Sequence, residues 1–83
     1  MTSAVSQAFG IVLREQRLQA SLSQEALAHA SEVHRTYVSL IERGIRHPTL
    51  DIVFRLAEAL KVAPSELVAA TETRLKRPRG KSA

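Results

Sequence analysis

The chain contains no cysteine among its 83 residues. Disulfides and thiolate metal sites are therefore excluded, and nothing points to an oxidising compartment. No apolar run approaches the roughly 18 residues of a membrane span, and the opening MTSAVSQAF lacks the charged and long apolar regions of a secretory signal. A cytoplasmic protein without a membrane partner is expected. The histidines His29, His34 and His47 fall on different predicted elements, and neither an HExxH motif nor a paired Cys/His spacing occurs, so no metal is expected. A glycine-rich phosphate loop, an internal repeat and alternating strand patterns are also missing. One domain of this size has a thin core and little room for a substrate cleft. The chain reads as a non-enzyme that needs no cofactor.

What is present is charge, unevenly placed. The net charge is +4 and the pI about 10.4, which suggests an anionic partner. Residues 1–71 nevertheless hold seven basic and seven acidic side chains, whereas 72–83 hold five basic ones against Glu72. The whole excess lies at the C-terminal end, so net charge says little about the body. Within the body, residues 34–47 are locally basic, with Arg35, Arg43, Arg46, His34 and His47 against Glu42.

Five helices are predicted. The first runs from about Ser3 to Gln19, with Val5, Phe9, Val12, Leu13 and Gln16 tracing one face at helical spacing. Ser21 and Leu22 break it. Ser23 caps a second helix to about Ser31, with Glu25 in the first turn, where negative charge suits the helix dipole, and Leu27 and Ala28 inward. A third runs from His34 or Arg35 to Arg43 and is ended by Gly44 in the left-handed region. Thr49 caps a fourth, with Asp51 in its first turn and a stripe of Ile52, Val53, Leu56, Ala57 and Leu60. Pro64 opens a short fifth helix to about residue 71, with Leu67 and Val68 inward. Phe9 and Phe54 are expected in the core. The predicted domain is 1–71, followed by a flexible basic tail, 72–83. In that tail Arg79-Gly80-Lys81 resembles a degraded AT-hook; the simpler reading is a solvated tail adding nonspecific attraction to phosphates.

Helices two and three, joined by a tight turn, have the lengths of a helix-turn-helix, spanning about 23–43, whose second helix enters the DNA major groove. With Val38 and Ile41 turned to the core at 100° per residue, Thr36, Ser39, Leu40 and Arg43 fall on the far side, flanked by Arg35 and Tyr37. Arginine suits guanine O6 and N7, and an exposed apolar group suits a thymine methyl. Hydroxyls, amides and helix N-termini suit phosphates.

Three blocks make the likeness close: Leu-Ser-Gln-Glu-x-Leu-Ala from Leu22, Ser-x-x-Glu-Arg-Gly from Ser39, and Leu-Ala-x-Ala-Leu-x-Val from Leu56. Residues 9–68 resemble the XRE-type helix-turn-helix domains of lambdoid phage repressors and Cro proteins. The stretch Arg35-Thr36-Tyr37 is similar to the restriction-modification controller proteins, a small dimeric branch of that family. The resemblance implies an all-α, five-helix, lambda-repressor-like fold. It also implies that Gln24, beside the cap Ser23, clamps a phosphate; that Arg35, Thr36, Ser39 and Leu40 face bases; and that Arg43 and Arg46 touch the backbone or groove edge. Arg17 and Glu42 match a structural ion pair. Tyr37 and His47 are further candidates for phosphate contact. Two positions depart from the family pattern: Glu32 stands at a turn glycine, and His34 stands where serine or threonine caps helix three.

One recognition helix reads too few base pairs for selectivity, so a homodimer on a palindromic operator is expected, with Leu60, Val62, Leu67 and Val68 as its apolar interface. The function that follows is a dimeric repressor or autoregulator on double-stranded DNA in the nucleoid, with RNA polymerase a candidate second partner. The rivals are a controller-type activator and repressor of a restriction system, and an antitoxin that neutralises a toxin.

Overall fold

A computed structural model describes residues 3–76; the expectations about Arg77, Arg79 and Lys81 lie outside them. Five helices follow in order: α1 Ala4–Gln19, α2 Gln24–Ser31, α3 Arg35–Glu42, α4 Leu50–Leu60 and α5 Pro64–Lys76. No strand occurs among the described residues, and no described helix is long and apolar enough to cross a membrane. The all-α, five-helix reading holds.

The starts of the helices follow from side-chain caps, which satisfy N–H groups that have no partner inside the helix. The hydroxyls of Ser3, Ser23 and Thr49 accept from the backbone N–H of Ser6, Ala26 and Ile52 at 3.0, 3.0 and 3.2 Å. Before α5, the Glu66 carboxylate reaches back to the Ala63 N–H at 2.9 Å. Only α3 lacks such a cap among α1 to α4: the His34 side chain accepts no hydrogen bond there.

The exits share one device. The chain turns left-handed after each of the first four helices, at Ser21 (φ 60°), Glu32 (φ 59°), Gly44 (φ 76°) and Lys61 (φ 62°). The turn lets the next N–H bond back across the last turn of helix, as Val33 does to Ala28 O and Val62 to Ala57 O, both at 3.0 Å. Only Gly44 adopts this conformation free of Cβ strain; the other three residues each hold about 1 kcal/mol of it. Gly44 carries a local signal for this conformation and Glu32 one from the family resemblance, while Ser21 signals only the break after α1.

Val12, Leu13, Leu27, Val38, Ile41, Leu56, Ala57 and Leu67 form the centre of one core shared by all five helices. Three expectations are corrected. Phe54 is 55% exposed: Val53, Leu56, Ala57 and Leu60 already fill the inward stripe of α4, and Phe54 projects with Leu50, one turn before it, on another face. Val5 is likewise exposed. α5 runs past 71 to Lys76, so residues 72–76 are helix and not flexible tail. The buried Thr71 donates its hydroxyl to Leu67 O at 2.8 Å, Arg74 pairs with Glu15 of α1 at 3.3 Å, and Lys76 pairs with Glu72 one turn earlier. The basic residues that suggested a tail are also good helix formers, and Leu67, Thr71 and Arg74 recur at helical spacing.

The feature that positions α3 is Gly10. α1 crosses the end of α3 so closely that a Cβ at Gly10 would lie 2.4 Å from Ile41 O and 2.7 Å from Glu42 O. Backbone carbonyls cannot swing aside as a flexible side chain can, so only glycine fits.

Two substitutions therefore act in opposite directions. Gly10→Ala, although alanine favours helix, destabilises by about 1–3 kcal/mol through overpacking. Glu32→Gly relieves the left-handed residue and stabilises by up to about 1 kcal/mol. Urea unfolding midpoints at constant m-value check both signs.

Candidate nucleic-acid interface

The third helix divides into two faces. Val38 and Ile41 are fully buried. On the other side Arg35 and Thr36 are exposed, and Tyr37, Ser39 and Leu40 are half-buried at the edges. Beyond Glu42 the chain stays beside the helix. The Leu40 carbonyl accepts from the N–H groups of Ile45 and Arg46 at 3.0 and 3.3 Å, which folds the loop back onto the end of α3; Arg43, Arg46 and His47 are exposed there, and His47 also lines a groove with Ser3, Phe9, Val68 and Thr71. Tyr37 lays its ring against the core and donates its hydroxyl to His47 O at 3.4 Å, a long contact that joins α3 to this loop.

The start of α2 lies against the same region. Glu25 is 3.9 Å from the Arg35 guanidinium, both side chains being well exposed. That contact is loose and solvated, so Arg35 is free to exchange it for another acceptor. Gln24 donates its Nε2 to Glu42 Oε1 at 3.0 Å. Ser23 uses its oxygen to cap α2, which leaves its O–H available as a donor. The helix-turn-helix thus places Ser23 and Gln24 next to the donors of α3 and of the following loop.

Behind this surface sits a buried ion pair. Arg17 Nε meets Glu42 Oε2 at 2.6 Å, with the two side chains only 10% and 3% exposed. Arg17 Nη2 meets Glu42 Oε1 at 3.1 Å, and Nη1 donates to Leu22 O at 2.9 Å. The hydrogen bond to Glu42 holds the Arg17 guanidinium above its ordinary pKa, against the opposing effect of burial. The pair satisfies itself and joins α1, the turn before α2 and the end of α3. It also cancels the charge of Glu42, so the surface above it is governed by Arg35, Arg43 and Arg46. Its electrostatics suit an anion.

Two of the four residues expected at a dimer interface are buried within the monomer. Leu60 and Leu67 are 7% and 0% exposed and belong to the monomer's own core. Leu60 closes the α4 stripe, and Leu67 is the residue by which α5 packs down. Val62 is half-buried. Val68 is 53% exposed, and it stands with Leu50 at 69% and Phe54 at 55% around a shallow groove completed by Val53, Pro64 and Ala69. The i, i+4 pair Leu50 and Phe54 was the sequence signal for this apolar face. The Gln24–Glu42 contact and the close approach at Gly10 carried no such signal.

Comparison with known proteins agrees with this geometry. The helix-turn-helix family model HTH_3 matches residues 13–67. The control protein C.BamHI of Bacillus amyloliquefaciens is 44% identical over 69 residues, covering 82% of this chain and 85% of that protein. The crystal structure of the restriction-modification controller protein C.AhdI from Aeromonas hydrophila has a TM-score of 0.76 and 45% identity, covering 78% of this chain and 98% of that one. The wild-type controller protein C.Esp1396I superimposes with a TM-score of 0.83 at 26% identity, over 92% of this chain and 97% of that one.

Breaking the buried pair tests its weight in the fold. Arg17→Met alone strands a buried carboxylate and costs about 3–5 kcal/mol, while Arg17→Met with Glu42→Leu recovers most of that loss; thermal unfolding of both variants measures the difference. The chain belongs to the XRE-type helix-turn-helix family of DNA-binding transcriptional regulators and is close to the restriction-modification controller proteins.

Proposed function

We propose that the protein binds a palindromic operator as a homodimer, with α3 of each protomer in the major groove, and represses or tunes transcription from the promoter that contains it. The observation that carries this reading is the division of α3. Val38 and Ile41 are buried, while on the opposite side Arg35 and Thr36 are exposed and Ser39 and Leu40 half-buried, followed by the exposed Arg43 and Arg46. In this reading Arg35 and Thr36 read base edges, Ser39 and Leu40 complete the groove-facing row, and Leu40 supplies an apolar contact. Ser23, Gln24, Tyr37, Arg43, Arg46 and His47 hold phosphates and set register.

The apolar face of Leu50, Phe54 and Val68, with Val62 at its margin, is the proposed two-fold contact. Exposed apolar side chains clustered on one face mark an interaction surface. A dimer that sets two recognition helices about 34 Å apart matches successive major grooves. Similarity to controller proteins over most of their length favours a controller-type regulator of a restriction system over an antitoxin. Such a protein works in the cytoplasm on nucleoid DNA. It acts without catalysis, by where it sits relative to the promoter, and contact with RNA polymerase is one way it would activate.

Selection of bound sequences from a random duplex pool tests the reading. Enrichment of an inverted repeat with half-site centres about 10 base pairs apart is expected; recovery of no common sequence contradicts it. On the selected site Arg35→Ala costs about 1–3 kcal/mol of affinity while changing binding to random DNA little. Equal losses on both would remove Arg35 from base reading. Phe54→Asp leaves the monomer folded, because the side chain is exposed, and shifts sedimentation from dimer to monomer; an unchanged dimer places the interface elsewhere.

A further inference from the structure

Glu42 has a role in the Arg17 pair, but its geometry serves a second side chain. Gln24 is the first residue of α2, and its amide donates to the same carboxylate oxygen, Oε1, that Arg17 Nη2 holds. A carboxylate only accepts, and an amide has one face that donates and one that accepts. Nε2 of Gln24 must therefore face Glu42, since the flipped amide would set two oxygens against each other. One of the two N–H bonds of Nε2 is used there, and the second remains available. Arg17 makes the arrangement tolerable next to a polyanion, because it cancels the charge of Glu42 in a buried contact.

We infer that Glu42, held by Arg17, is a positioning residue for DNA binding: it fixes the amide of Gln24 so that its free N–H is presented to a backbone phosphate. The inference rests on the DNA reading above and adds that the clamp is preorganised. Ordering a glutamine side chain on binding would otherwise lower the affinity by about two- to tenfold. Because Glu42 ends α3 and Gln24 begins α2, the device also ties phosphate grip to the seating of the recognition helix. The contribution is independent of base sequence, since phosphates carry none of that information directly.

The test is a double-mutant cycle in DNA affinity, on the selected operator and on random duplex. Gln24→Ala lowers affinity about threefold to tenfold on both. Arg17→Met with Glu42→Leu removes the acceptor without changing net charge or introducing a new donor. It lowers affinity about two- to tenfold when Gln24 is present and has no further effect in the Gln24→Ala background. An equal loss in both backgrounds would show that the pair acts only through the fold and would overturn the positioning role, leaving the clamp intact. An unchanged affinity for Gln24→Ala would instead remove the clamp itself. The wild-type protein provides a readout that needs no variant: of the two Gln24 side-chain amide protons in its NMR spectrum, the one bonded to the Glu42 carboxylate is expected shifted away from its position in a free glutamine. Both protons at the positions they have in a free glutamine would contradict a fixed amide.

Discussion

One face of α1 grips the last turn of α3 at two points seven residues apart. At Gly10 the α1 backbone comes so close to the Ile41 and Glu42 carbonyls that a single methyl group cannot be placed between them. Two turns further on, Arg17 closes on the Glu42 carboxylate. The first contact sets the distance between the helices; the second fixes their rotation and supplies the charge that a buried carboxylate needs. α3 is only eight residues long, carries no side-chain cap at its start, and would not hold its shape alone. Its orientation is borrowed from α1 and secured by Val38 and Ile41 in the core.

The functional surface follows from that seating. With Val38 and Ile41 committed inward, α3 presents Arg35 and Thr36 outward. The left-handed turn at Gly44 folds the chain back, so that Arg46 lies beside the same helix. The start of α2 then adds Ser23 and Gln24. Buried parts of the site are satisfied within the protein: among the described residues no buried side-chain nitrogen or oxygen lacks a partner. The exposed parts, Arg35 above all, are held only by loose solvated contacts and can exchange them for a ligand. A rigid base beneath solvated charged tips suits groove reading, because specificity depends on register and bidentate geometry rather than on total charge.

Much of this was legible in the sequence, for physical reasons. Caps at Ser23 and Thr49, the left-handed Gly44 and the apolar stripes of α2, α3 and α4 are local signals, and they located those helices closely. The resemblance of the three motif blocks to XRE-type regulators agrees with the family to which the chain belongs. What was not legible depends on packing between elements. Phe54 resembles a core residue by composition, yet the inward stripe of α4 was already complete without it. Leu60 and Leu67 fit both an inward stripe and an apolar interface by pattern alone, and packing commits them to the monomer's core. Residues 72–76 were grouped with a basic tail although Thr71 and Arg74 continue α5 onto α1. Gly10, an unremarked residue in a helix, matters because of a carbonyl thirty-one residues away, which no local pattern encodes.

The central claim, that the outer face of α3 reads DNA while α1 holds it from behind, is tested most directly by mapping NMR shift changes as the selected operator is added to the protein. The largest changes are expected at Arg35, Thr36 and Ser39, at residues 23–25 and in the loop 43–47, with the Arg17–Glu42 contact retained. Changes concentrated on α5 and the outer side of α1, with the exposed face of α3 undisturbed, would contradict it.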